Sequence, residues 1–504
     1  MHCDSKPSRR TILKLGATGA GLSVLPATAL AATASSPPVR ASKSPRNIIF
    51  MVSDGMSASV PILAESFSQQ VRNGGTHWNR VSREPRTVHG YFDTAALNTL
   101  VTDSAAACTA WASGSRVFNG AINTLPDGTA LVPIGKLARE SGRRLGLVTT
   151  TTITHATPAG FAARVGRRSS EADIATQYLN EVDVLLGGGT EFFSPARRDD
   201  GDDLFQRFAD NGYAVIQHRN NLTAASRQNK ILGVFGTSHL PYSIDHLQSD
   251  ELQSCVPTLA EMTHAAITSL SSHEHGFLLQ VEGGRVDHAA HANDAAALLW
   301  DQLAFDDAIG VVLDFAKDRD DTLVVITTDH GNANPGLNGM GTRYRDSTEC
   351  FGRLALSKAS AEAVRSSLRR DASRTNATIV DAVLKATGIE LNEQHAEVLA
   401  AALDGRPIVE ANRQHANFLG LLGQMLGNHT GIGWTGITHT ADPAMVMAVG
   451  PGSEMFHGLM LNTDGFVRLT DALNVNHRNP SMTAEQASRF SMAPVPELEL
   501  HIGV

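Results

Sequence analysis

Long apolar runs are scarce in this 504-residue chain. Beyond its N-terminal region no stretch reaches the roughly 18 apolar residues that a membrane-spanning helix needs. The mature chain is therefore expected to have no membrane partner. Cysteine is also rare, with Cys3, Cys108, Cys255 and Cys350 and no C-x-x-C pair. Loss of Cys3 with a cleaved leader leaves three, so not all can pair within one chain. Cys108 lies in an alanine-rich helical stretch and reads as a small buried hydrophobe. A bond between Cys255 and Cys350 in an oxidising compartment stays open. No G-x-S-x-G elbow surrounds the serine singled out below, which disfavours a Ser-His-Asp hydrolase. Basic charge is in deficit. The net charge is −9, and the first 31 residues hold a net +3 (Lys6, Arg9, Arg10 and Lys14 against Asp4), so the remainder carries about −12. That argues against nucleic acid or an anionic membrane as partner.

Aliphatic residues are plentiful and charged ones make up only 18 %, so the chain can bury a large core. Its length allows one large α/β domain or two to three smaller ones. The N-terminus has the order of an export signal. Ser8-Arg9-Arg10-Thr11-Ile12-Leu13-Lys14 reads as a twin-arginine segment, and a weakly apolar Gly/Ala-rich stretch runs on to residue 31. Ala29-Leu30-Ala31 and Ala32-Thr33-Ala34 offer small-residue cleavage sites. The expectation is a signal peptide over 1–31, a flexible leader over 32–45, and a periplasmic or secreted mature protein.

From residue 46 short apolar runs alternate with helical patterns. Strands are expected at 47–53, 145–150, 182–186, 277–281, 323–327 and 444–449, several of them nearly continuous in Val, Ile and Leu. Such runs suit strands covered on both faces. Helices are expected at 172–180, 258–270 and 294–317. The fold class that follows is α/β, a three-layer sandwich around a mostly parallel central sheet. Its core spans 46–334 and is completed by 436–475. Between them, 335–435 lacks clear strands and carries helical patterns near 359–369, 378–386, 396–402 and 416–426. It reads as a mostly helical insertion before the last core strand. A polar tail over 476–504 is expected to wrap over the surface.

Acidic and histidine residues follow the C-terminal ends of these strands, the edge where parallel sheets bind ligands. Asp54 follows 47–53, His155 and Thr157 follow 145–150, Glu282 and Asp287 follow 277–281, and Asp329 and His330 follow 323–327. One such residue is more simply a helix cap; four placements with paired histidines are not. If a helix starts near Val286, Asp287 and His291 lie four residues apart on one face and can share a zinc ion. Glu282 can reach a neighbouring hard cation such as magnesium. Gly331 permits the sharp turn that lets Asp329 and His330 converge. Of His429 and His439, the latter is preferred because it closely precedes a core strand. Ser104 opens the alanine-rich run that follows Thr102-Asp103, where the helix N-terminus favours a phosphoryl oxygen or an alkoxide. Read alone, that serine is more simply an N-cap. A serine without a triad needs another activator, and a metal ion can be one.

Taken together, Asp54-Gly55-Met56, Thr102-Asp103-Ser104-Ala105-Ala106, His155-Ala156-Thr157-Pro158-Ala159, Glu282-Gly283-Gly284-Arg285-Val286-Asp287-His288, Asp329-His330 and His439-Thr440 resemble the alkaline phosphatase family, in its order, over roughly residues 46–455. The resemblance implies a hydrolase of phosphate monoesters that releases inorganic phosphate through a phosphoserine on Ser104, here exported by the twin-arginine segment. It implies two Zn2+ and one Mg2+ per chain. Asp287, His291 and His439 would hold the first zinc; Asp54, Asp329 and His330 the second. Asp54, Thr157 and Glu282 would hold the magnesium, with His155 acting through water. Asp103 would orient an arginine that grips phosphate. The family's spacing puts it at Arg168, with Arg167 and Arg164 close by. Where some members carry Asp and Lys, this chain has His155 and His288. A homodimer is compatible with the family but has no signature in the sequence. The resemblance leaves two other readings: a phosphodiesterase or related hydrolase on the same scaffold, and a metal- or phosphate-binding protein without turnover. A sulfatase would need a Cys- or Ser-x-Pro-x-Arg context that Ser104-Ala105-Ala106 lacks.

Overall fold

A computed structural model describes residues 44–408 and 412–490. The expected export signal, nearly all of the leader and the end of the tail lie outside the described residues. Among the described residues the strands are β1 (Asn47–Ser53), β2 (Val88–Phe92), β3 (Arg144–Thr152), β4 (Val184–Gly188), β5 (Ala214–Ile216), β6 (Ile231–Val234), β7 (Phe277–Gly283), β8 (Thr322–Thr327), β9 (Gly331–Asn332), β10 (Gly336–Leu337), β11 (Ile432–Gly433), β12 (His439–Thr440), β13 (Ala444–Val449) and β14 (Gly458–Met460). Ten of them form one sheet in the order β14-β2-β13-β8-β1-β7-β3-β4-β6-β5. All neighbours from β8 to β5 pair in parallel, and β13 runs antiparallel to both β8 and β2.

The sheet lies between two helical layers because its central strands are apolar on both faces. Successive side chains of a strand point to opposite sides. In β1, Ile49 and Met51 pack into one apolar cluster with Phe67, Met262 and Phe305. Ile48, Phe50 and Val52 pack into a second with Trp111, Leu137 and Phe466. The first layer contains helices Val60–Arg72, Leu259–Leu270 and Ala295–Ala316. The second contains Ser104–Ser113, Ile134–Glu140, Glu171–Tyr178 and Asp464–Leu473. The α/β three-layer expectation holds. Strands β2, β5, β6, β14 and the two-residue β9 to β12 were not anticipated, and β10 and β11 lie within the segment expected to lack clear strands. β5 and β14 have three residues each, only one of them buried, so they carry almost no pattern.

Residues 335–435 contain helices Ser347–Gly352, Ala361–Arg370, Asn376–Thr387, Glu393–Leu403 and Phe418–Thr430. Val364, Leu368, Val383, Leu399 and Leu422 give this segment its own apolar cluster, which Ala292 of the core joins. The antiparallel pair β10–β11 closes its base. Asp245 and Asp294 pin its second helix to the core. Asp245 accepts from the Ser360 amide and hydroxyl at 2.8 and 2.7 Å, and Asp294 from the Ala361 amide at 2.6 Å. Cys108, Cys255 and Cys350 are free thiols. Up to residue 490 the tail lies on the core: Asn479 donates to the Ser113 and Val132 carbonyls, both at 2.9 Å.

Candidate active site

The strand-end residues converge because β7, β1 and β8 are adjacent and parallel, with Val52 opposite both Glu282 and Thr327. Their C-terminal ends therefore open on one place. Beyond β8 the chain turns through Asp329 and His330 into β9, and β12 pairs with it, His439 opposite Asn332. This two-residue ladder carries His439 back to the sheet edge. His429 instead lies at the end of helix Phe418–Thr430 in the insertion, outside the donor clusters found among the described residues.

Among the described residues, three groups of donors have ligand atoms within 4.8 Å of one another: Asp287, His291 and His439; Asp54, Asp329 and His330; and Asp54, His155 and Glu282. In the first, the Nδ1 of His291 lies 2.6 Å from the Ile437 carbonyl and that of His439 lies 2.8 Å from the Thr102 carbonyl. A carbonyl only accepts, so both rings carry their proton on Nδ1. Their Nε2 lone pairs then face each other at 3.0 Å. Two acceptors cannot hydrogen-bond, whereas a shared cation satisfies both. Asp287 stands beside them, its oxygens 3.3 Å from His291 Nε2 and 3.6 Å from His439 Nε2. Asn332 donates to Asp287 Oδ1 at 2.7 Å and fixes that carboxylate.

The second and third groups share Asp54. Its Oδ2 accepts from Thr157 at 3.3 Å, while Oδ1 is buried without a hydrogen bond. Glu282 Oε1 is likewise buried without a hydrogen bond, and Asp329 Oδ2 makes none but lies 3.0 Å from His330 Nε2. Their other oxygens are held: Asp329 Oδ1 accepts the Gly55 and His330 amides at 3.0 Å. Glu282 Oε2 accepts Thr149 at 2.5 Å and Thr151 at 3.3 Å. Each carboxylate is thus fixed by one oxygen and offers the other. Buried charged oxygens left unpaired are strongly unfavourable, so the donor set fits cations.

Burial, then the carboxylates of Asp329, Asp287 and Glu282, push Asp54 well above the usual carboxylate range. For His439, burial and neighbouring His330 bring the imidazole down to about 3, so it is neutral and able to ligate.

Asp103, not Ser104, is the cap of helix Ser104–Ser113, accepting from the Ala106 amide at 2.9 Å. Ser104 is the first helical residue, with 1 % of its surface exposed. Its Oγ lies 3.3 Å from His330 Nε2, beside the second donor group. Arg168 donates to Asp103 Oδ2 at 3.2 Å and to His155 Nε2 at 2.7 Å. Arg164 and Arg167 are exposed. A guanidinium only donates, so His155 Nε2 is an acceptor here and the ring proton sits on Nδ1. That proton faces Glu282 Oε1, 3.8 Å away. In this arrangement His155 Nδ1 has no lone pair for a cation and reaches the third group only by donating, to a carboxylate or a water.

Two contributors escaped the sequence reading. Asn332 is one. The other is His239, whose ring centroid lies 4.5 Å from that of His288 and 5.8 Å from that of His155. It follows β6; recognising Ile231–Val234 as a strand would have flagged it by the same strand-end rule.

A parallel α/β sheet whose C-terminal edge gathers three contiguous carboxylate–imidazole groups around a helix-start serine is the frame of a metal-dependent hydrolase. The model of the alkaline phosphatase family matches residues 45–475. The chain is 30 % identical over 435 residues to alkaline phosphatase 4 of Bacillus subtilis, covering 83 % of this chain and 87 % of that one. It is 30 % identical over 340 residues to the alkaline phosphatase of Escherichia coli, 58 % of this chain and 71 % of the other. The crystal structure of Thermus thermophilus alkaline phosphatase superposes with a TM-score of 0.84 at 35 % identity, over 89 % of this chain and 96 % of that one. The chain belongs to the alkaline phosphatase family, whose members are phosphomonoester hydrolases.

Proposed function

We propose that this protein hydrolyses phosphate monoesters by transferring the phosphoryl group to Ser104 and then to water. The observation that carries this reading is the position of the Ser104 hydroxyl, 3.3 Å from His330 in the second donor group and at a helix N-terminus. Asp287, His291 and His439 would hold one zinc ion and Asp54, Asp329 and His330 another. Asp54, Thr157 and Glu282 would hold magnesium, with His155 donating through water. Cations bound there would neutralise phosphoryl charge, acidify the Ser104 hydroxyl and stabilise the leaving oxygen.

The protein's own groups do the rest. Ser104 Oγ attacks phosphorus as the ester oxygen departs, and the free amides of the helix start face the transferring group. Arg168, held by Asp103, turns its fork to two non-bridging oxygens. Water then attacks the phosphoserine and inorganic phosphate leaves. Ser8 to Lys14 supports the further proposal that the chain is exported folded, to the periplasm or beyond. The test of the function is hydrolysis of a chromogenic aryl phosphate beside the matching diester and sulfate, after chelation and after return of Zn2+ and Mg2+. Monoester turnover that is lost and restored supports the reading; faster diester turnover points to a phosphodiesterase, and no turnover to a binding protein.

A further inference from the structure

Asn119 and Gly120 form the centre of a tight turn between Phe118 and Ala121. The Ala121 amide donates to the Phe118 carbonyl at 3.2 Å, and Gly120 sits at φ 85°, the left-handed conformation that the third residue of a type II turn requires. The turn follows helix Ser104–Ser113 in the chain but folds back against the segment that enters that helix. The Asn119 side chain accepts from the Asp103 amide and donates to the Val101 carbonyl, both at 3.0 Å. A carboxamide has one accepting and one donating end, so these two partners allow a single orientation.

The two bonds bracket Thr102, which is buried. Its carbonyl is the acceptor for His439 Nδ1 at 2.8 Å, and Ser104 is two residues further on. Residues 101–103 lie outside any helix or strand, so no ladder of backbone bonds restrains them. Gly120 meets the same segment: its amide donates to Asp103 Oδ2 at 2.9 Å, and its carbonyl accepts from the Arg168 amide at 2.7 Å.

We propose that Asn119 is a positioning residue for phosphoryl transfer: its side chain bridges Val101 to Asp103 and so holds in one conformation the segment that leads into Ser104 and carries the carbonyl orienting His439. One side chain thereby sets both the nucleophile and a ligand of the first donor group, without a hydrogen bond to either. This rests on the monoesterase reading above. Displacement of the attacking oxygen is felt chiefly in the phosphoryl-transfer step, and loosening of the Thr102 carbonyl is felt in cation affinity.

Two readouts test this: the single-turnover rate at which an aryl phosphate phosphorylates the metal-loaded enzyme, and calorimetric titration of zinc into chelated protein. Asn119→Ala is expected to slow phosphorylation by on the order of ten- to a hundredfold. It should weaken zinc by about three- to tenfold, less than the loss of a direct outer partner. Inhibition by inorganic phosphate should stay near the wild-type value, because Asp103 and Gly120 still hold Arg168. Asn119→Asp keeps the acceptor for the Asp103 amide and should fall between; it decides the matter if Asn119→Ala does not fold. Arg116→Met frees the same loop from Asp93 and Asn462, outside 101–103, and should leave both readouts at the wild-type level. Unchanged phosphorylation and zinc affinity in the Asn119 variants, or equal losses in Arg116→Met, overturn the proposal. The zinc titration needs no turnover. A wild type that forms no phosphoserine would sink the monoesterase reading, whereas an active one with insensitive Asn119 variants sinks only this inference.

Discussion

His291 and His439 face each other through their Nε2 atoms at 3.0 Å, and a backbone carbonyl fixes each ring from behind. Neither nitrogen can donate to the other, and the carboxylate of Asp287 stands beside both. Replacing His439 with Ala should weaken zinc binding beyond the roughly 10–100-fold that loss of an outer partner produces, while His429→Ala should leave it near wild type. Calorimetric zinc titration of chelated protein separates the two, and the reverse order would return His429 to the site.

Asn332 is such an outer partner. Its amide fixes Asp287 Oδ1 without offering a ligand itself. Asn332→Ala should lower cation affinity by about 10–100-fold and leave the fold intact by circular dichroism. Unchanged affinity would mean that the histidine pair alone orients the carboxylate.

Arg168 meets Asp103 and His155, whereas Arg167 is exposed. Arg168→Ala should weaken inorganic phosphate as a competitive inhibitor by about 10–100-fold, the size expected for charge-assisted bonds. Arg167→Ala should not. If only Arg167→Ala weakens phosphate, the assignment of the clamp moves one residue.

Much of this was legible from sequence because one rule, acidic or histidine residues at the ends of apolar strands, applies wherever the strand itself is legible. β1 and β13 are six or seven residues long and largely buried. β6 has four residues, so His239 beyond it gave no warning. Ser104 was expected near a helix start, but which residue caps it depends on the Asp103 side chain reaching Ala106, a matter of one residue in register. The tautomers of His155, His291 and His439 depend on partners 13 to 337 positions away, and no local pattern encodes them.

Asp301 provides a pH test away from the donor groups. Burial, only partly offset by Arg285 and the Ser243 hydrogen bonds, raises its carboxyl from 3.8 to about 7. The folded-state value lies above the unfolded one, so the folded chain holds this proton from about pH 4 to pH 7. The associated stability is present at the acid end and lost as pH rises through 7. In chelated protein, Asp301→Asn should flatten that part of the stability profile measured by urea unfolding. A variant with the wild-type slope between pH 4 and 7 would place the titration elsewhere.

The central claim is that Ser104 accepts the phosphoryl group. The most direct measurement is rapid acid quench of the metal-loaded enzyme with a phosphate monoester, followed by peptide mass spectrometry. Phosphate on the peptide containing Ser104, absent from Ser104→Ala, is the expected result. That variant should also keep its metal and lose turnover by on the order of 10³-fold or more. Wild-type turnover by Ser104→Ala, or phosphate trapped on another residue, would contradict the account.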